Sequence, residues 1–246
     1  MRHLVPLAIG AAVAARWAPA AAVVVPRTAG AFGIPTRTPG GAGVLLSFDD
    51  GPHVRGTPAV LAELERAGAQ AVFFVCGEQV ERRPEIVREV VAAGHELGLH
   101  GYRHQTRRHW TRRLLTDDTR RAIDAVGAAT GSAPHLYRPP HGVFSVPGLQ
   151  AILSLGLEPL LWSTWGRDWE ARATPSSIAR RATARIAARD VILLHDADHY
   201  GAPGSWRATA AALPLIFAAL ARAGLETERW PVRGPAERSS SCVPSH

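Results

Sequence analysis

The chain has 246 residues, 46% of them hydrophobic and 20% charged, a balance that excludes wholesale disorder and suffices for one large core. The formal net charge is +7, yet there is no lysine, so Arg carries the whole basic balance; with abundant Ala, Gly and Pro this points to compositional bias as much as to an anionic partner. No basic stretch is interleaved with aromatics, which argues against nucleic acid, and two cysteines without thiolate spacing exclude a zinc finger.

Met1-Arg2-His3 is a short basic start, and Leu4 to Ala15 is apolar over about the length of a signal-peptide core. Ala18-Pro19-Ala20 offers a small-residue cleavage pattern. Arg16 and Trp17 interrupt the segment, so a spanning helix fits poorly. An export signal or a loose membrane anchor is expected, which implies a secreted or envelope-associated protein; a cytoplasmic extension is the alternative. Residues 1–42 are therefore read as an N-terminal apolar segment and linker, the linker being the Pro- and Gly-rich stretch 27–43. Residues 43–232 form the expected catalytic domain, and 233–246 a disordered tail. Cys76 lies in an apolar run and Cys242 in the tail, and the two are not expected to pair.

Within the domain, Val44 to Phe48 reads as a strand and Thr57 to Ala67 as a helix stopped by Gly68. Ala71 to Val75 is a strand, Pro84 to Ala93 a helix, and Glu96 to Leu99 a strand. A helix over Thr116 to Thr130 is capped by Thr116 or Asp117 and stopped by Gly131. Strand Leu136 to Tyr137, helix Val146 to Leu155, strand Leu157 to Trp162 and helix Ser176 to Ala188 follow. The series ends with strand Val191 to Leu194, helix Thr209 to Ala223, and a last strand at Leu225 to Glu228. Such alternation predicts an α/β fold with a parallel sheet, and the short apolar strands fit burial on both faces. A closed or nearly closed, TIM-like (β/α) barrel in a single domain is expected. An open doubly wound sheet is the alternative, but no Gly-rich dinucleotide fingerprint follows the first strand.

Polar residues recur just after these strands: Asp49 and Asp50, His100 and His104, Arg138, Asp168, then His195 and Asp196. In a parallel barrel all strand C-termini open on one face, so residues distant in sequence converge there. Asp49-Asp50-Gly51-Pro52 alone reads equally well as a turn. His100 and His104, four apart, share a face on a helix and also meet in a turn. Two His plus one carboxylate, here Asp50, is a recurrent set for a catalytic metal with an open position. His195 on the same face suits acid/base work. Arg138 is either a structural ion pair or a group that orients a carboxylate.

Ser47-Phe48-Asp49-Asp50-Gly51-Pro52, His100-Gly101-Tyr102-Arg103-His104, Arg138-Pro139-Pro140-His141-Gly142, Arg167-Asp168-Trp169 and Leu193-Leu194-His195-Asp196 together resemble the ordered motifs of the polysaccharide deacetylase family, the chitooligosaccharide-deacetylase homology domain of carbohydrate esterase family 4. The resemblance spans about Val44 to Trp230 and implies a distorted (β/α) barrel. It implies that Asp50, His100 and His104 bind a divalent metal, most often zinc, with cobalt, nickel, manganese or iron as alternatives. Asp49 would be the general base, His195 the general acid, and Arg138 the group that orients Asp49. Asp168 would tune Arg138 or His195, the backbone of His141 would hold the oxyanion, and Trp169 would meet substrate. The implied reaction is removal of an N-acetyl group from an amino sugar of a glycan such as chitooligosaccharide or peptidoglycan, by a monomer.

Three positions depart from the family pattern: Gly101 stands where a hydroxyl residue is common, His141 where an aromatic is usual, and Trp165 where an acid is common. They bear on substrate more than on catalysis. Trp162, Trp165 and Trp169 read either as a sugar-stacking wall or as barrel aromatics, and Asp198-His199-Tyr200 as a polar loop more than as substrate contacts. Two other readings stay open: a deacylase of a small amide or secondary metabolite, and a silent glycan-binding module.

Overall fold

The computed structural model describes residues 14–23, 25–106 and 111–231. Seven strands make one sheet: β1 (Leu45–Asp49), β2 (Ala71–Val75), β3 (Glu96–Leu99), β4 (Leu136–Tyr137), β5 (Glu158–Pro159), β6 (Thr164–Trp165) and β7 (Val191–His195). They pair in the order β5-β4-β3-β2-β1-β7-β6, and every ladder is parallel. Read cyclically, this is the strand order of a (β/α) barrel left open between β5 and β6. Among the described residues the helices that accompany it include α1 (Pro26–Ala31), α2 (Gly56–Ala67), α3 (Gly77–Arg82), α4 (Pro84–Ala92), α5 (Arg112–Thr130), α6 (Val146–Ser154), α7 (Pro175–Thr183) and α8 (Ser205–Arg222). The nearly closed barrel expected from the alternation, with the distortion that the family resemblance implies, is the fold observed.

Alternation along the strands divides the core in two. Leu46, Phe48, Phe73, Val75, Ile192 and Leu194 point outward and pack with the helices in the larger apolar cluster. Leu45, Val72, Phe74, Leu136, Leu160 and Val191 point inward and pack with Trp230 in the smaller one. All five residues of β1 and of β2 are buried, as strands covered on both sides require. The interior is narrow. A Cβ at Gly98 of β3 would lie 2.5 Å from Phe74, so glycine is what lets the Phe74 ring occupy the barrel.

Several boundaries differ from expectation. The apolar run Leu157 to Trp162 is not one strand. Its chain leaves β4 after Leu160, whose N–H bonds Tyr137 O; Leu161 N–H bonds Pro35 O, and Ser163 N–H bonds Val191 O. The run thus changes partners, and β6, beside β7, is a separate strand. α5 begins at Arg112 because Thr111, not Thr116 or Asp117, caps it by accepting from Leu114 N. α7 stops at Thr183, after a capping box between Thr174 and Ser177 fixed its start. α3 had no expected counterpart, and α8 begins at Ser205 rather than Thr209. The last strand reduces to one bridge between Val44 and Thr227.

The stretch read as a linker is docked. Ala29 and Ile34 are buried, Arg37 pairs with Asp190 at 2.8 Å, and Thr38 bonds Arg189 O and Glu228. Pro and Gly content sets local backbone shape; it does not prevent packing. Most of the Leu4 to Ala15 run, Cys242 and the 233–246 tail lie outside the described residues. Among the described residues, no helix is long and apolar enough to cross a membrane.

Candidate active site

Strand parity carries the chemistry inward. Asp49 lies four residues beyond the inward Leu45, and His195 four beyond the inward Val191. His100 and Arg138 follow Gly98 and Leu136 by two. Asp50 has the opposite parity, and a left-handed backbone (φ 78°) turns its side chain back into the barrel mouth. The next residue is constrained too: a Cβ on Gly51 would fall 2.5 Å from Asp196 Oδ2. Asp196 is itself buried and accepts a hydrogen bond from Thr57 Oγ1. Gly51→Ala is therefore expected to lower stability, read by thermal unfolding; an unchanged midpoint would contradict this packing.

Asp50 Oδ1 lies 3.5 Å from His100 Nε2 and 3.4 Å from His104 Nε2. One ligand atom from each of the three residues can be chosen so that all lie within 4.8 Å of one another. Two ligands each about 2.1 Å from a tetrahedral ion would stand about 3.4 Å apart. Asp50 Oδ1 is buried and has no hydrogen-bond partner among the described residues. A buried carboxylate oxygen left in this way is costly unless something else satisfies it.

The protonation states suit a cation. His100 Nδ1–H donates to Arg138 O at 2.8 Å, which leaves the Nε2 lone pair facing Asp50. Burial holds His100 well below the ordinary imidazole range. Burial, with the neighbouring His100 and His141, takes His104 down to about 3. Burial lifts Asp50 to about 7; His195 opposes this, while Asp49, Asp196 and Asp168 add to it. Neutral imidazoles beside a crowded carboxylate form a site short of one positive charge. Cys76 is no rival ligand, because burial pushes its thiol well above the usual range.

Two further groups flank the trio. Arg138 is wholly buried; its Nη1 donates to Asp49 Oδ1 at 2.7 Å and to Ser47 Oγ at 2.9 Å. Its Nε and Nη2 donate to Leu160 O and Leu161 O, both at 3.1 Å. Burial holds Asp49 above the ordinary carboxylate range, and Arg138 and His195 offset only part of that rise. On the other side, His195 Nδ1 meets Asp168 Oδ1 at 2.9 Å. Asp168 Oδ2 also accepts from His195 N and from Thr209 Oγ1, each at 2.7 Å. Asp168 thus serves His195 rather than Arg138. Burial alone would lower His195; the charge and hydrogen bond of Asp168, with Asp50 and Asp49, outweigh it and lift the imidazole to about 10. His195 Nε2 faces Asp50 Oδ2 at 4.0 Å.

Asp49, Asp50, His100, His104 and His195 line one cavity of about 250 Å³ with His141, Trp162, Trp165, Trp169, Leu193 and Tyr200. Trp162 stacks on Trp165 (5.8 Å between ring centres), Trp165 meets Trp169 edge-on, and Trp169 meets His195 edge-on. The three tryptophans therefore form a continuous wall to the cavity, and Trp165 is 37% exposed at its mouth. His141 sits in the turn Pro140–Gly142, its ring nearly perpendicular to that of His104 with 4.5 Å between ring centres. His104 arrives by a turn, not a helix, and Gly101 there takes φ 82°, a conformation a hydroxyl residue adopts only under strain.

Sequence reasoning undervalued four residues: Ser47, Thr209, Asp196 and Tyr200. Asp198 and His199 do form a polar loop, bonding Gly204 N and Pro52 O, but Tyr200 reaches the cavity. Only an aromatic at the end of a loop signalled it.

Residues 36–160 match the polysaccharide deacetylase family. A chitooligosaccharide deacetylase from Bradyrhizobium sp. (strain ANU 289) is 33% identical over 198 residues, 76% of this chain and 89% of that one. The chain belongs to the polysaccharide deacetylase family. A peptidoglycan-N-acetylglucosamine deacetylase from Bacillus cereus is 32% identical over 157 residues, 62% of this chain and 72% of that one. A family 4 carbohydrate esterase from Streptomyces lividans, solved in complex with acetate, superposes with a TM-score of 0.68 at 30% identity, over 76% of this chain and 91% of that one. As a polysaccharide deacetylase the chain is a hydrolase of N-acetyl groups, and the family depends on a metal, for which Asp50, His100 and His104 are a fitting set.

Proposed function

We propose that the chain removes N-acetyl groups from the amino sugars of a glycan such as chitooligosaccharide or peptidoglycan, with zinc on Asp50, His100 and His104. The observation that carries this reading is the buried, unpartnered Asp50 Oδ1 at ligand spacing from two neutral imidazoles, between a paired carboxylate and a paired imidazole. Cobalt, nickel, manganese and iron suit the same donors. A cation held there supplies Lewis-acid polarisation of the amide carbonyl and a lower pKa for attacking water.

The chain's own groups do the proton work. Asp49 accepts the proton of the attacking water; Arg138 holds one of its oxygens and leaves Oδ2 toward the cavity, 3.7 Å from His100. His195, kept protonated by Asp168, donates to the departing amine, without which an amide nitrogen leaves poorly. The turn at His141 offers backbone N–H to the developing oxyanion. The tryptophan wall supports sugar stacking by Trp165 and Trp169.

The names of the relatives support action on envelope or exported glycan. All the proposed groups come from one chain, so a monomer suffices, with 43–232 as catalytic unit and the 27–43 stretch docked on it.

Removing the metal with a strong chelator is expected to abolish free-amine release from N-acetylated oligosaccharide, and added zinc to restore it. Unchanged activity after chelation would overturn the metal reading. Turnover confined to small amides would overturn the glycan, and no amine release from any N-acyl substrate by metal-loaded protein would favour the silent module.

A further inference from the structure

His100 and His104 are held in different ways. His100 is anchored through the Nδ1 hydrogen bond to Arg138 O, the usual device by which a second ring nitrogen fixes a metal-binding imidazole. His104 has no such anchor: among the described residues its ring makes no hydrogen bond, although it stands 3.4 Å from Asp50 Oδ1. It lies instead face to face with Tyr200, 4.3 Å between ring centres and 13° from parallel. The His141 ring packs T-shaped against it, 4.5 Å between ring centres.

Tyr200 is tethered in turn. Its hydroxyl donates to Glu78 Oε1 at 3.0 Å and accepts from Gln79 Nε2 at 3.3 Å. Glu78 and Gln79 begin α3, and Gly77 and Glu78 give their backbone N–H groups to Gly101 O and Tyr102 O, in the turn that delivers His104. The loop after β7 and the turn after β3 are therefore joined through one helix terminus and one aromatic stack.

We infer that Tyr200 is a positioning residue for His104, its ring doing by stacking what a hydrogen bond does for His100. The inference rests on the metal reading given above. Without the stack, the His104 ring keeps its contacts with His141 and His100 but loses the support of one face, and the metal must then do part of the ordering, which weakens binding. Loss of an orienting partner of this kind lowers metal affinity about 10- to 100-fold. The hydroxyl tether is secondary, because the ring and not the oxygen touches His104.

The test is zinc affinity of the full chain, measured by competition with a chromophoric chelator, so that no turnover is involved. Tyr200→Ala is expected to bind zinc at least about tenfold more weakly than wild type. Tyr200→Phe, which keeps the stack, is expected to remain within about threefold, a rescue that general loosening of the loop would not produce. Thermal unfolding of the metal-free forms checks that Tyr200→Ala is folded; should it not be, Tyr200→Leu, which fills the space without a flat face, replaces it with the same expectation. Wild-type zinc affinity in Tyr200→Ala or Tyr200→Leu overturns the inference, as does a loss in Tyr200→Phe equal to that in Tyr200→Ala. Zinc binding absent from the wild type takes down the metal reading, and this inference with it.

Discussion

Asp49→Asn is expected to lower kcat for amide hydrolysis about a thousandfold while one metal still binds per chain. Asn has nearly the volume of Asp, and its carbonyl oxygen still accepts from Arg138 Nη1, now 2.7 Å from Asp49 Oδ1. It cannot take up a proton. A positioned general base contributes about 10²- to 10⁴-fold, and here no neighbour is placed to replace it: the other carboxylate that lines the cavity is the proposed ligand Asp50. Free-amine release measured beside metal content separates the roles. Lost turnover with retained metal supports Asp49 as base. Full turnover would remove it from that role, and metal loss would make it a ligand.

Arg138→Met is expected to destabilise the chain by about 3–5 kcal/mol, the scale for breaking a buried ion pair from one side. Arg138 is fully buried, and its loss strands four acceptors: Asp49, Ser47 Oγ, and the carbonyls of Leu160 and Leu161. Against a total stability of about 5–15 kcal/mol this is a large fraction. Urea unfolding of the metal-loaded protein reads it directly. In the double variant with Asp49→Asn the carboxylate charge is gone, so the two losses are expected to sum to more than the loss of the pair. Strict additivity would mean that the ion pair contributes little.

Much of the site was legible because it follows strand parity. Once β1, β3, β4 and β7 are placed, Asp49, His100, Arg138 and His195 must face inward, whatever the loops do. Asp50 was legible only through its motif, since parity alone sends it outward and a left-handed φ reverses that. Tyr200 was not legible. Its approach to His104 depends on the path of a loop and on contacts with α3, which no local spacing encodes. The split between β5 and β6 was hidden as well, because Leu157 to Trp162 is uniformly apolar and a change of hydrogen-bond partner leaves no mark in composition.

That split explains how a guanidinium comes to reside in the middle of a barrel. In a closed barrel the main-chain oxygens around the wall are engaged with neighbouring strands and turn no acceptor toward the centre. Between β5 and β6 the wall lacks one seam, and there Leu160 O and Leu161 O face inward onto Arg138 Nε and Nη2. The irregular edge thus acts as a solvating shell for a cation, whose charge beside the proposed base Asp49 offsets part of what burial does to that carboxylate. A sequence that sealed this seam would gain two ladder bonds and lose the charge that the proposed chemistry depends on.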